Sequence, residues 1–136
     1  MNSYTITTTL PRPYDVAVEM VREALGEQGF GILTEIDLKA TLKTKLDVDV
    51  APQVILGACR PALAYEALTA EPSIAAVLPC NVVVRALAED TTIVEAFDPD
   101  AMMGLADSDE LSAVAADAKQ RITAALTSLD SPEGDN

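Results

Sequence analysis

The chain has no histidine and no tryptophan, and only 4% of its 136 residues are aromatic. Without histidine it lacks the commonest general base, the usual Ser–His and Cys–His nucleophile pairs and every imidazole metal ligand. Basic residues are scarce: 9 Lys and Arg stand against 22 Asp and Glu, a formal net charge of −13. A surface of that sign excludes binding through nucleic-acid phosphate or an anionic membrane surface, both of which need clustered cations. Long apolar runs are absent too. The longest, around Val82, Val83 and Val84, are the size of a strand, well short of the roughly 18 residues a membrane span needs. Met1 to Thr7 shows no basic segment leading into an apolar run, so no secretory signal is expected and the location expected is the cytoplasm. Two cysteines, Cys59 and Cys80, are too few for a disulfide framework, and in a reducing cytosol both are expected as free thiols.

Apolar residues make up 49% of the chain and charged residues 23%, enough to bury a core within one domain of this length. Ser3 to Leu10 alternates as a half-buried strand, closed by Pro11 and Pro13. Ala17, Met20, Val21, Ala24 and Leu25 recur at helical spacing, and Gly29 is placed to cap that helix. Phe30 to Leu38 reads as a second strand, with Phe30, Ile32, Thr34 and Ile36 on one face and Leu33, Glu35 and Asp37 on the other. A short helix over Lys39 to Leu46 carries three of the nine basic residues. Gln53 to Cys59 is apolar enough for a central strand. Pro61 suits the first position of the next helix. Pro79 opens a fourth strand, which pairs across Glu89-Asp90 with a fifth over Thr91 to Phe97. A final helix buries Leu111, Val114, Ala115, Ala118, Ile122, Ala125, Leu126 and Leu129.

This order predicts an α+β fold: one domain over residues 1–130, with a mixed, mostly antiparallel sheet of about five strands, helices packed on one face, and a disordered acidic tail at 131–136. A helical crossover between the third and fourth strands makes them parallel. Cys59 and Cys80 are then expected at opposite edges of the sheet, beyond the roughly 7 Å reach of a disulfide.

Chemistry-bearing residues are few. Cys59 precedes a helix and stands beside Arg60, two features that stabilise a thiolate. The alternative reading is a small apolar residue packed at a strand end. Cys80 and Asn81 follow Leu78-Pro79, a fixed turn before a strand. Two cysteines fall short of the usual four zinc ligands; Glu35 and Asp37, sharing one strand face, are the natural carboxylates to add, or else form a solvated face beside Lys39, Lys43 and Lys45. No glycine-rich phosphate loop is present: Gly26, Gly29 and Gly31 are spaced wrongly and follow a helix.

The segments Phe30 to Asp37, Ile55 to Pro61 with Ala64, Leu78 to Val84, and Asp98-Pro99 occur in an order that resembles the domain-of-unknown-function family 302, over about Tyr4 to Leu129. Arg60 departs from that pattern, standing where the family often has Asn. The resemblance implies a compact α+β domain similar to the TATA-binding-protein-like superfold and a homodimer; it implies no activity. The leading reading is a small cytoplasmic domain that binds a small molecule or metal, or presents a thiol, through Cys59, Arg60, Cys80, Asn81, Glu35 and Asp37. The alternatives are an interaction module whose motifs serve folding and dimer formation, and an enzyme using Cys59 with a carboxylate base. No catalytic residue, cofactor or particular metal is assigned. Dimer formation is expected through apolar strand residues on the sheet face the helices leave open.

Overall fold

The computed structural model describes residues 3–104 and 109–129, with the side chains of 102–104 left aside. The chain runs β1 (Thr5–Leu10), α1 (Tyr14–Glu27), β2 (Gly31–Asp37), α2 (Leu38–Leu46), β3 (Gln53–Cys59), α3 (Pro61–Ala70), a 3₁₀ turn (Pro72–Val77), β4 (Cys80–Ala88), β5 (Thr91–Phe97), a second 3₁₀ turn (Pro99–Gly104) and α4 (Asp109–Leu129). The expected tail at 131–136 lies outside the described residues.

Alternation along the strands decides the layering. Leu10, Val54, Leu56, Ala58, Val82, Val84, Val94 and Ala96 all turn to one side and are buried there against α1 and α4. Helix α1 meets them with Ala17, Val21, Ala24 and Leu25. Helix α4 buries the eight residues its periodicity singled out. The face opposite carries Thr7, Glu95, Val83, Ile55 and Ile36 in one row across all five strands. These residues stay partly or fully exposed.

The sheet order is β1-β5-β4-β3-β2, and every neighbouring pair is antiparallel. A parallel pairing of β3 with β4 is therefore wrong. Helix α3 packs chiefly against the first 3₁₀ turn and α4 and does not cross the sheet, so the chain returns to the end it left. Ala58 consequently faces Cys80 across the ladder. The expected alternation of β2 also breaks, because a bulge between Ile32 and Thr34 shifts its register. Ile32 stays beside Ala58 on the helix side, whereas Thr34 and Ile36 oppose Gly57 and Ile55 on the open side.

The core has two parts. The larger lies between the sheet and the helices α1 and α4; the smaller gathers Leu63, Ala67, Ile74, Leu111, Val114 and Ala118 around α3. Helix α4 runs through both. The seam between them lies at the ends of β3 and β4, where the two cysteines are.

Candidate functional site: a thiol-lined cavity at the core seam

Cys59, the last residue of β3, and Cys80, the first of β4, line one small cavity together with Arg60. Its walls are apolar: Phe30 and Ala58 from the sheet side, Leu63, Ala64 and Ala67 from α3, Leu78, and Val114 and Ala118 from α4. The space is about 30 Å³, room for one or two water-sized bodies. Cys80 is buried and Cys59 half-buried, and no disulfide joins them in the structure. The expected separation to opposite sheet edges fails with the topology. From Ala58 opposite Cys80, ladder geometry sets the Cα atoms of Cys59 and Cys80 at about 6 Å.

The electrostatics reverse the sequence-based expectation for Cys59. Burial pushes its thiol pKa up, with no offsetting contribution from Arg60. Burial also raises Cys80, and the charge of a Cys59 thiolate raises it further. The reason is where the guanidinium goes: Arg60 Nε donates a hydrogen bond to the Gln28 carbonyl oxygen at 3.2 Å. That carbonyl belongs to the C-terminal end of α1, where a cation is favoured by the helix dipole. There Gly29 takes φ +86°, its N–H bonds the Gly26 oxygen and the Phe30 N–H bonds the Leu25 oxygen, closing a Schellman cap. A Cβ on Gly29 would come within 2.8 Å of Arg60 Nε, so the cap and the arginine fit each other.

The other candidates lie elsewhere. Asn81 is exposed, and it lines a separate groove with Tyr4, Thr5, Pro79, Val83, Glu95 and Phe97. One residue of alternation separates Cys80, facing the helices, from Asn81, facing the open sheet. Glu35 and Asp37 do share a strand side, opposite Leu56 and Val54. They sit toward the other end of β2 from Gly31, which pairs with Cys59, so neither reaches the thiols. Glu35 pairs with Arg22 of α1. Asp37 caps α2, accepting from the Ala40 N–H at 2.9 Å. Both carboxylates are exposed, and Lys43 of α2 pairs with Asp47 and Asp49 at 2.9 and 3.5 Å. Among the described residues no group of three or more Cys, Asp or Glu is arranged to hold a metal.

The family model described as "Domain of unknown function DUF302" matches residues 6–129. The chain belongs to the DUF302 family. A crystal structure of an uncharacterized conserved DUF302 protein from Bacillus stearothermophilus matches with a TM-score of 0.83 and 28% sequence identity, covering 93% of this chain and 98% of that one. Comparison with curated proteins gave no significant match. DUF302 membership and the shared fold carry no assigned activity.

In this DUF302 domain Cys59 and Cys80, 21 residues apart in the chain, line one place. The cavity can take up something small and apolar or soft; with both thiols held protonated, it is a poor nucleophilic centre at neutral pH. Sequence reasoning missed Phe30, Leu63, Ala67, Val114 and Ala118 as cavity walls, since each also reads as ordinary core. It missed the contact between Gly29 and Arg60 as well. The signal available there was a glycine at a helix end, which marks a backbone conformation but not the residue that lies over it. No described helix is long and apolar enough to cross a membrane.

Proposed function

We propose that this protein is a small ligand-binding domain whose site is the thiol-lined cavity between α3, α4 and the ends of β3 and β4. The observation that supports this most is the meeting of Cys59, Arg60 and Cys80 around one apolar cavity. Asn81, Glu35 and Asp37 play no part in that site on this reading. On this reading the cavity binds, since burial raises the pKa of both thiols and so disfavours the nucleophilic thiolate. Free thiols and the acidic surface suit a cytoplasmic protein without nucleic-acid partners. Native mass spectrometry of freshly purified protein tests the reading. The expected result is a carried small mass that Ala64→Phe, which fills the mouth, abolishes. A chain that emerges empty, with no small mass taken up from a cell extract, would refute it.

A second reading concerns assembly, and the open sheet face favours it. Val83, Ile55 and Ile36 form an apolar row there beside the Arg85–Glu95 ion pair at 2.7 Å. Ile36 is 45% exposed in the single chain. Five strands about 4.8 Å apart and about 20 Å long give a face of roughly 500 Å², hence roughly 1,000 Å² for two copies. That is the lower bound of a specific interface, so the homodimer is weak and concentration-dependent. Sedimentation equilibrium decides it: a mass of 14.3 kDa, unchanged across micromolar concentrations, would refute the dimer.

A further inference from the structure

We infer that the cavity is the apolar half of a site for a short-chain monocarboxylate: Arg60 holds the carboxylate, and a tail of about three carbons lies between α3 and α4. The inference rests on the reading of this cavity as a ligand site and names the class of ligand it takes.

The first observation is an arginine without an acid. In a chain of net charge −13, carboxylates are plentiful, and Arg22, Arg85 and Arg121 each pair with one. Arg60 does not. Among the described residues its guanidinium makes one hydrogen bond, from Nε to the neutral Gln28 carbonyl. The N–H groups of its two terminal nitrogens are left for another acceptor. A planar fork of donors suits a carboxylate, which accepts two parallel bonds from it. Arg60 is half-buried, so the pair forms partly out of water, where it is stronger.

The second observation is where that cation stands. Leu63, Ala64 and Ala67 follow Arg60 along one face of α3 at helical spacing, and all four line the cavity opposite Val114 and Ala118 of α4. A ligand with its charge at Arg60 therefore lays its body against apolar side chains only. Helix α3 also starts here with no side-chain cap, and the Ala64 N–H is taken by the Arg60 carbonyl. The positive end of its dipole lies beside the guanidinium and adds to the attraction for an anion.

Size and lining then narrow the ligand. A space of about 30 Å³ takes a short alkyl group and leaves no room for a long acyl chain. Apolar walls give nothing to the remaining oxygens of a phosphate or sulfate, whose burial would leave them unpaired. Burial disfavours the thiolate of Cys80, so that wall sets no negative charge against the anion.

The test is a titration of the isotope-labelled full-length protein, followed by amide chemical shifts, with acetate, butyrate, hexanoate, 1-butanol and inorganic phosphate. The expected result is saturable binding of one butyrate per chain, with shifts centred on Leu63, Ala67 and Val114. Affinity rises about fourfold per methylene from acetate to butyrate and gains nothing further at hexanoate. Both 1-butanol and phosphate bind at least about tenfold more weakly than butyrate. Arg60→Gln lowers butyrate affinity about tenfold or more and leaves 1-butanol unchanged, whereas Ala64→Phe removes both. Circular dichroism checks the fold of each variant, and the chain-length series needs no variant at all. Equal binding of butyrate and 1-butanol, phosphate bound as tightly as butyrate, affinity still rising at hexanoate, or undiminished butyrate binding in folded Arg60→Gln would each overturn the inference. Were butyrate not bound while the carried small mass still disappeared in Ala64→Phe, the carboxylate assignment would fall and the ligand-cavity reading would stand. Were neither butyrate nor any carried mass bound, both would fall.

Discussion

Gly29→Ala is the substitution that most directly links the fold to the cavity. Two separate costs arise at this residue. Its φ of +86° lies where a Cβ is disfavoured, at about 1–2 kcal/mol for a residue other than glycine. The new Cβ would also stand 2.8 Å from Arg60 Nε, which must move and give up its 3.2 Å bond to the Gln28 carbonyl, a net loss of about 1 kcal/mol. The expected destabilisation is therefore about 2–3 kcal/mol, read as a lower urea midpoint at unchanged slope. A double-mutant cycle with Arg60→Ala separates the two costs. Arg60→Ala alone costs about 1 kcal/mol, and on that background Gly29→Ala retains only the backbone term, leaving a coupling of about 1 kcal/mol. Moving Arg60 also uncovers the cavity mouth, so Cys59 in Gly29→Ala should be alkylated faster under native conditions. A Gly29→Ala protein within about 0.5 kcal/mol of the parent, or costs that simply add with those of Arg60→Ala, would refute this account of the cap.

Other outcomes follow from the same geometry. Thr92 is fully buried and its hydroxyl donates to the Arg12 carbonyl at 2.9 Å; Thr92→Val should cost about 1–3 kcal/mol by urea unfolding, and a neutral result would show that the carbonyl is satisfied otherwise. Ellman titration should find two thiols per chain in denaturant, but in the native state Cys59 should react well before buried Cys80; equal native rates would contradict the burial. Burial raises the folded-state pKa of both thiols above the ordinary thiol value of 9.0, so the unfolded chain loses these protons first as pH rises. Stability should thus be level below about pH 9 and fall above it, less steeply in Cys80→Ala; a rise above pH 9 would reverse the sign. Lys119, whose pKa is raised by hydrogen bonds to Asp100 and Asp98, adds a loss in the same direction at still higher pH.

Local chemistry was enough to read most elements from the chain alone. The stripe from Leu111 to Leu129 sits at helical spacing because one helix face meets one core, and the structure buries that set. Gly29 announces a helix end, since only glycine enters its φ without cost, and α1 does end there. The five strands were legible in the same way. Tertiary packing decided the rest. Whether β3 and β4 run parallel depends on where α3 packs, and nothing within Pro61–Ala70 says that it leans on α4 and the 3₁₀ turn instead of crossing the sheet. That single choice carries Cys59 from the far edge of the sheet to the diagonal neighbour of Cys80. The bulge at Leu33 is likewise invisible to a rule of alternation, because it arises from pairing with β3. Arg60 shows why side-chain roles lag behind backbone ones. Its neighbour in sequence is Cys59, but its hydrogen bond goes to Gln28, brought close only when the end of α1 folds over the end of β3. Periodicity reports which side of an element is buried; what that side meets is settled by contacts between residues distant in the chain.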